Sequence, residues 1–193
     1  ENSIALRDFI TTKRGIATGA NEFFHMTERE AKYLNLRPES LKLCVANING
    51  IKSLDINQKF IDELMAMSYK TQLFDVVEPN EAEQDYLDKG IKAGLLNRYI
   101  LSNKKVWYQQ EKREPAHILF NVFAREKFNF LLNSAKVLNL TNNHCIYVKN
   151  NNWKFALSEC HCILGFFQKA AIAFSGIVSS VSIPSDQWWQ SAE

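Results

Sequence analysis

Three helix-start signatures, separated by short apolar runs, constrain this chain more than any other feature. Thr27 with Glu30 three residues on is a capping-box pair, and predicts a helix over 28–35 that Arg37-Pro38 ends. Asn57 caps a stretch to residue 68 in which Phe60, Ile61, Leu64, Met65 and Met67 fall at helical spacing. Asn80 opens an acidic helix to residue 93, with Glu81 and Glu83 at its positive end and Gly90 and Gly94 marking its close. Between these helices the apolar runs are short and bounded by turn residues, which predicts strands. The expected strands are 7–12 and 22–25 on either side of a glycine loop at 14–21, 73–77 before Pro79, and 99–101 and 106–109 flanking a basic turn at 102–105. Further strands are expected at 117–123, 128–132 and 145–149, and the two runs of 41–56 fold about Asn49-Gly50. Apolar spacing over 157–175 predicts one more helix. The expected class is α+β, with a central, mostly antiparallel sheet or barrel and flanking helices. The expected division is a domain over 1–155 and a helical appendage over 156–193 packed on it.

A chain of 193 residues with 46% hydrophobic and 23% charged residues is globular rather than disordered. No apolar run reaches the length of a membrane span, so no membrane partner is expected. No signal peptide opens the chain and its first residue is Glu1, so we expect an internal or processed piece of a larger protein. Cys44, Cys145, Cys160 and Cys162 form no disulfide framework, and a cytoplasmic setting is expected. Net charge is only +2, but residues 98–154 hold ten Lys or Arg against three acids while both flanks are net acidic. A concentrated basic segment is the footprint of a polyanion partner, although a solvated basic face gives the same pattern.

Two stretches carry a resemblance. Arg14-Gly15-Ile16-Ala17-Thr18-Gly19-Ala20-Asn21-Glu22-Phe23-Phe24 resembles the Gly-Ile-x-Thr-Gly-x-Asn-x-x-Phe segment that opens the target recognition domain of TaqI-type N6-adenine DNA methyltransferases. Asn97-Arg98-Tyr99, Trp107 to Arg113, Pro115-Ala116, Phe128 to Ser134 and Asn142 to Tyr147 follow in an order similar to the same domain of restriction-modification methylases. The resemblance implies a sequence-specific reader of double-stranded DNA. The resemblance also implies a catalytic domain elsewhere in the same polypeptide that binds S-adenosylmethionine and methylates adenine. This chain has no Asn-Pro-Pro-Tyr-like motif, since its prolines are isolated at 38, 79, 115 and 184. Its glycine loop lies between expected strands rather than in a strand-turn-helix. No cofactor and no catalysis are therefore expected of the chain alone.

The expected DNA-binding residues follow from residue chemistry within those stretches. Arg14 grips a phosphate or a guanine, Asn21 pairs with adenine, and Thr18 shares their loop. Arg98, Lys104, Lys105, Lys112 and Arg113 supply salt-dependent phosphate contacts, and Tyr108 offers a stacking ring. In a strand Trp107 and Tyr108 face opposite sides, with Trp107 expected inside. Arg125 and Lys127 sit at an expected hairpin tip, and Asn143 in an amide-rich stretch with Asn133, Asn139, Asn142 and His144. Ordinary turns explain glycines, amides and basic tips equally well. Cys160-His161-Cys162 has no second pair at ligand spacing and reads as structural rather than zinc-binding. The alternative to DNA recognition is a protein-docking domain that uses the apolar tail and Trp188-Trp189.

Overall fold

A computed structural model describes residues 10–48, 53–121 and 130–149. The three helices expected from their caps are all present. In α2 (Glu28–Tyr33) the Thr27 hydroxyl accepts the Glu30 N–H at 3.1 Å, and the Glu30 carboxylate takes the Thr27 N–H at 2.7 Å. In α3 (Gln58–Ala66) the Asn57 side chain accepts the Phe60 N–H at 3.0 Å. In α4 (Glu81–Lys92) Asn80 and Glu83 form a second reciprocal box. Glu83 is fully buried and also receives the Arg37 guanidinium, at 2.6 Å. Burial alone would raise the pKa of this carboxyl. Hydrogen bonds from Arg37, Ser40 and the Asn80 main chain outweigh it and hold the group at about 2.

The described strands form two four-stranded sheets, neither closed into a barrel. The first runs β1 (Ile10–Arg14), β8 (Asn143–Val148), β5 (Ile118–Asn121), β6 (Phe130–Leu132), antiparallel throughout. The second runs β2 (His25–Met26), β4 (Gln72–Phe74), β3 (Leu41–Val45), β7 (Leu138–Asn139), with only the β3–β7 pair parallel. Each sheet has its own core. Phe24, Leu73, Phe74, Leu87 and Leu101 centre one between the second sheet and α4. Leu119, Leu131, Ile56 and Ile61 centre the other between the first sheet and α3. The α+β class and the mostly antiparallel sheet are thus as the sequence indicated.

Several local expectations are corrected. Residues 22–25 are not a strand: Asn21–Phe24 form one helical turn, α1, and only His25 enters β2. Residues 99–101 belong to a helical turn, α5 (Tyr99–Ser102), and 106–109 form a turn closed by the Gln109 N–H on the Val106 carbonyl at 3.2 Å. Tyr99 stays 83% exposed, while Trp107 packs on Phe23, Phe24 and Tyr108. Strand propensity records such burial, not an intrinsic backbone choice. The run 41–56 does not close as a hairpin within the described residues, because β3 pairs with β4 and the distant β7. Asn49-Gly50, the tip carrying Arg125 and Lys127, the 157–175 helix, the 156–193 appendage, Cys160-His161-Cys162 and Trp188-Trp189 all lie outside the described residues.

Candidate functional site

The glycine loop is the crossover from the first sheet to the second. β1 ends at Arg14, and the ladder continues for two residues: the Gly15 N–H donates to the Asn143 carbonyl at 3.1 Å and the Ile16 N–H to the Asn139 carbonyl at 2.8 Å. The Gly15 Cα lies so close to the Leu140 carbonyl that a Cβ would collide with backbone. Ile16 is buried in the second sheet's core. Thr18, only 1% exposed, donates its hydroxyl to Asn21 Oδ1 at 2.6 Å and accepts the Ala20 N–H at 3.0 Å. Gly19 turns the chain at φ +82°, a left-handed conformation that favours glycine. The loop is therefore a tightly fixed crossover whose most exposed side chain is Asn21.

Residues 98–113 embrace this loop from end to end. The Arg113 guanidinium donates to the Arg14 carbonyl at 3.1 Å, and both arginines pair with Glu111, each at 2.7 Å. Burial would raise the Glu111 pKa, but the hydrogen bonds from Arg113 and Arg14 prevail and leave it below its ordinary value of 4.5. At the far end Arg98 reaches the Gly19 carbonyl at 3.3 Å and pairs with Glu22 at 2.5 Å. Between them Lys104 donates to the carbonyls of Thr18 and Gln109 and to Gln110 Oε1, at 3.1–3.2 Å. Beneath lies an aromatic cluster. Phe23 stacks on Tyr86 with centroids 4.3 Å apart, and Trp107 lies 6.0 Å from both Phe23 and Phe24. A Cβ on Gly90 of α4 would come within 2.8 Å of the Phe23 ring, so the helix approaches only because that residue has none. Trp107 and Tyr108 pack edge to face at 5.8 Å and both border the same core, so the expected opposition of inside and outside does not arise.

The two resembling stretches thus meet in space. Arg14, Asn21, Arg98, Lys105 and Lys112 are exposed around the crossover, and Arg113 and Tyr108 are half-buried within it. Thr18 and the Lys104 ammonium are engaged internally. Asn143 is apart from this group: it is fully buried, and its amide donates to the Ala46 carbonyl at 3.1 Å. Its neighbours are wired similarly. Asn133 donates to the Ala116 and Val137 carbonyls and accepts the Val137 N–H, while Asn139 donates to the Asn143 carbonyl and accepts the Cys145 thiol. The residue reasoning assigned no role to Glu22, Gln110, Glu111 or Asp75. Yet the Gln110 N–H donates to Asp75 at 2.9 Å, and its side chain joins Lys104 to the Tyr108 carbonyl. The available signal was Gln110-Glu111 inside the second resembling stretch, where an acid follows the aromatics and precedes two cations.

Among the described residues no group of three or more His, Cys, Asp or Glu is placed to hold a metal ion. Nor is any described helix long and apolar enough to cross a membrane. Among known proteins, the chain is 29% identical over 147 residues to the type II methyltransferase M.AccI of Acinetobacter calcoaceticus. That alignment covers 76% of this chain and 27% of the relative, so the chain spans about a quarter of the protein it matches. A family model, that of the C-terminal domain of the type II methyltransferase M.Eco57I, matches residues 1–178. The match runs through the crossover loop, the segment that embraces it and both sheets, and the chain belongs to this family of type II methyltransferase C-terminal domains.

Proposed function

We propose that the chain is the sequence-specific DNA recognition domain of an adenine-specific methyltransferase in a restriction-modification system. It docks one side of duplex DNA while a catalytic domain of the same polypeptide, holding S-adenosylmethionine, acts from the other. The observation that carries this reading is the assembly of residues 14–21 and 98–113 into one cation-rimmed surface. In it Arg98, Lys105 and Lys112 fix register on phosphates, Asn21 presents a donor and an acceptor that match an adenine edge, and Arg14 presents two donors that match a guanine edge. Tyr108, half-buried, supports this surface from below. Thr18 and Asn143 serve by positioning: Thr18 orients the Asn21 amide, and Asn143 anchors the corner on which the loop rests. Arg125 and Lys127, on residues outside those described, remain proposed groove contacts from the basic tip.

Base reading at Asn21 needs its side chain to keep the direction set by Thr18. Selecting bound sequences from a pool of randomised duplexes with the intact polypeptide tests this. Asn21→Ala relaxes the preference at one position of the site and leaves the rest intact. An unaltered preference removes Asn21 from the readout.

One observation favours the docking alternative. Ile91 of α4, Leu96 of the turn that follows it, and Tyr99 and Ile100 of α5 are each exposed, Tyr99 by 83%. If these side chains bind a partner domain and the cations are incidental, Tyr99→Ser lowers affinity for that domain and leaves DNA binding unchanged. The DNA reading predicts that Lys105→Ala does the opposite.

A further inference from the structure

Lys104 stands out among the cations of this surface because its charge points inward. Its ammonium has three acceptors at 3.1–3.2 Å: the Thr18 carbonyl in the crossover loop, the Gln109 carbonyl and Gln110 Oε1. It also lies 5.6 Å over the Phe24 ring. An ammonium has three protons to give, so this set fills its donor capacity. Two acceptors belong to one segment and the third to the loop, so the side chain bridges them. Gln110 is itself fixed, through its N–H to Asp75 and its amide to the Tyr108 carbonyl. Asp75 is held in turn by Lys42. The bridge therefore runs from the loop to the end of β4 in the second sheet through side chains that are each otherwise secured.

We infer that Lys104 is a positioning residue that clamps the 14–21 loop in its presented conformation, and is not one of the phosphate contacts. The clamp acts on the Thr18 carbonyl, one peptide from Gly19 and three residues from Asn21, so it governs the exposed amide without touching a ligand. What the loop presents rests on the DNA reading above; the clamp itself does not. Burial lowers the Lys104 pKa, as an ammonium withdrawn from water requires.

The test begins on the unaltered protein. At limiting acetic anhydride, with sites read by mass spectrometry, Lys104 is acetylated at least about tenfold more slowly than Lys105, because its amine must first leave three acceptors. Added duplex slows Lys105 and leaves the Lys104 rate unchanged. In Lys104→Met, hydrogen exchange of a peptide spanning 15–22 speeds up while the β5–β8 ladder keeps its protection. The salt slope of DNA binding stays that of the parent, and the range of duplex sequences selected broadens. Acetylation of Lys104 as fast as Lys105, or a slope reduced by about one unit in Lys104→Met, overturns the clamp. Shielding of Lys104 with no effect of duplex on either lysine supports the clamp and overturns the DNA reading alone.

Discussion

Two polar stretches of this chain, 133–143 and 98–113, are made of residue types that bind nucleic acid, and the fold uses them differently. Along 133–143 the amides of Asn133, Asn139 and Asn143 are all buried and bonded to main-chain groups, those of Asn133 and Asn139 within the β6–β7–β8 corner or beside β5 and that of Asn143 to the Ala46 carbonyl after β3. Along 98–113 Lys104, Gln110 and Glu111 turn inward to hold the crossover loop, Arg98 reaches its Gly19 carbonyl from an exposed position, and Lys105 and Lys112 stay in solvent. An amide is neutral, so full burial costs little once its hydrogen bonds are made. An ammonium or guanidinium is expensive to bury, so a dense run of cations leaves some outside. The difference teaches that charge, more than hydrogen-bonding capacity, separates surface from scaffold here.

The largest predicted effect breaks the amide side. Asn133→Ala removes three buried hydrogen bonds and orphans the Val137 N–H, at a cost of roughly 2–4 kcal/mol. Urea unfolding should show it as a lower midpoint. Loss of less than about 0.5 kcal/mol would mean that the amide network is not what holds the corner.

A smaller effect sharpens the contrast on the charged side. Glu111→Gln frees Arg14 and Arg113 from their shared carboxylate, and costs about 1 kcal/mol or less because the pairs are partly exposed. It also raises affinity for non-specific duplex, since two guanidiniums lose their internal counter-ion. Equal affinity in parent and variant would place that end of the loop away from the DNA.

The two regions should also separate by pH. Glu111 and Glu22 both have folded pKa values below the ordinary 4.5. For Glu111, burial opposes the shift and the hydrogen bonds from Arg113 and Arg14 win. For Glu22, the main-chain hydrogen bond leads and Arg98 adds to it. A depressed carboxyl contributes stability that is present above the unfolded value and is lost as pH falls below 4.5 through the folded one. Acid therefore loosens the loop first. The side chains of Asn133, Asn139 and Asn143 bond main-chain groups and the Cys145 thiol, none of them a carboxylate. The corner's titrating neighbour, Cys145, has a thiol pKa raised by burial above the ordinary 9.0, so that corner weakens only as pH climbs past 9.0. Exchange rates of loop amides against β8 amides across this range check the order. Simultaneous loosening in acid would dissolve the distinction.

How much of this was legible follows the same line. The helices α2, α3 and α4 were readable because their caps are local: Thr27, Asn57 and Asn80 each bond a residue three positions on. The β3 partners were not, because β3 reaches β7, whose residues lie about ninety positions further along. Trp107 and Tyr108 looked like a strand because nothing in their neighbourhood announces that Phe23 and Phe24 come to meet Trp107. Both stretches of the candidate site were identifiable from the resemblance. The direction each cation points was not, since Lys104 and Lys105 are adjacent and chemically identical, yet only the first finds the Thr18 carbonyl.

The most direct measurement is the salt dependence of duplex binding by the intact polypeptide with Lys105 and Lys112 both changed to Ala. Folding stability should stay within about 0.5 kcal/mol of the parent, as both side chains are exposed. The slope of log affinity against log salt should flatten by about two units, one for each lost phosphate contact. A slope equal to the parent's, with the fold intact, would contradict the assignment of this surface to DNA.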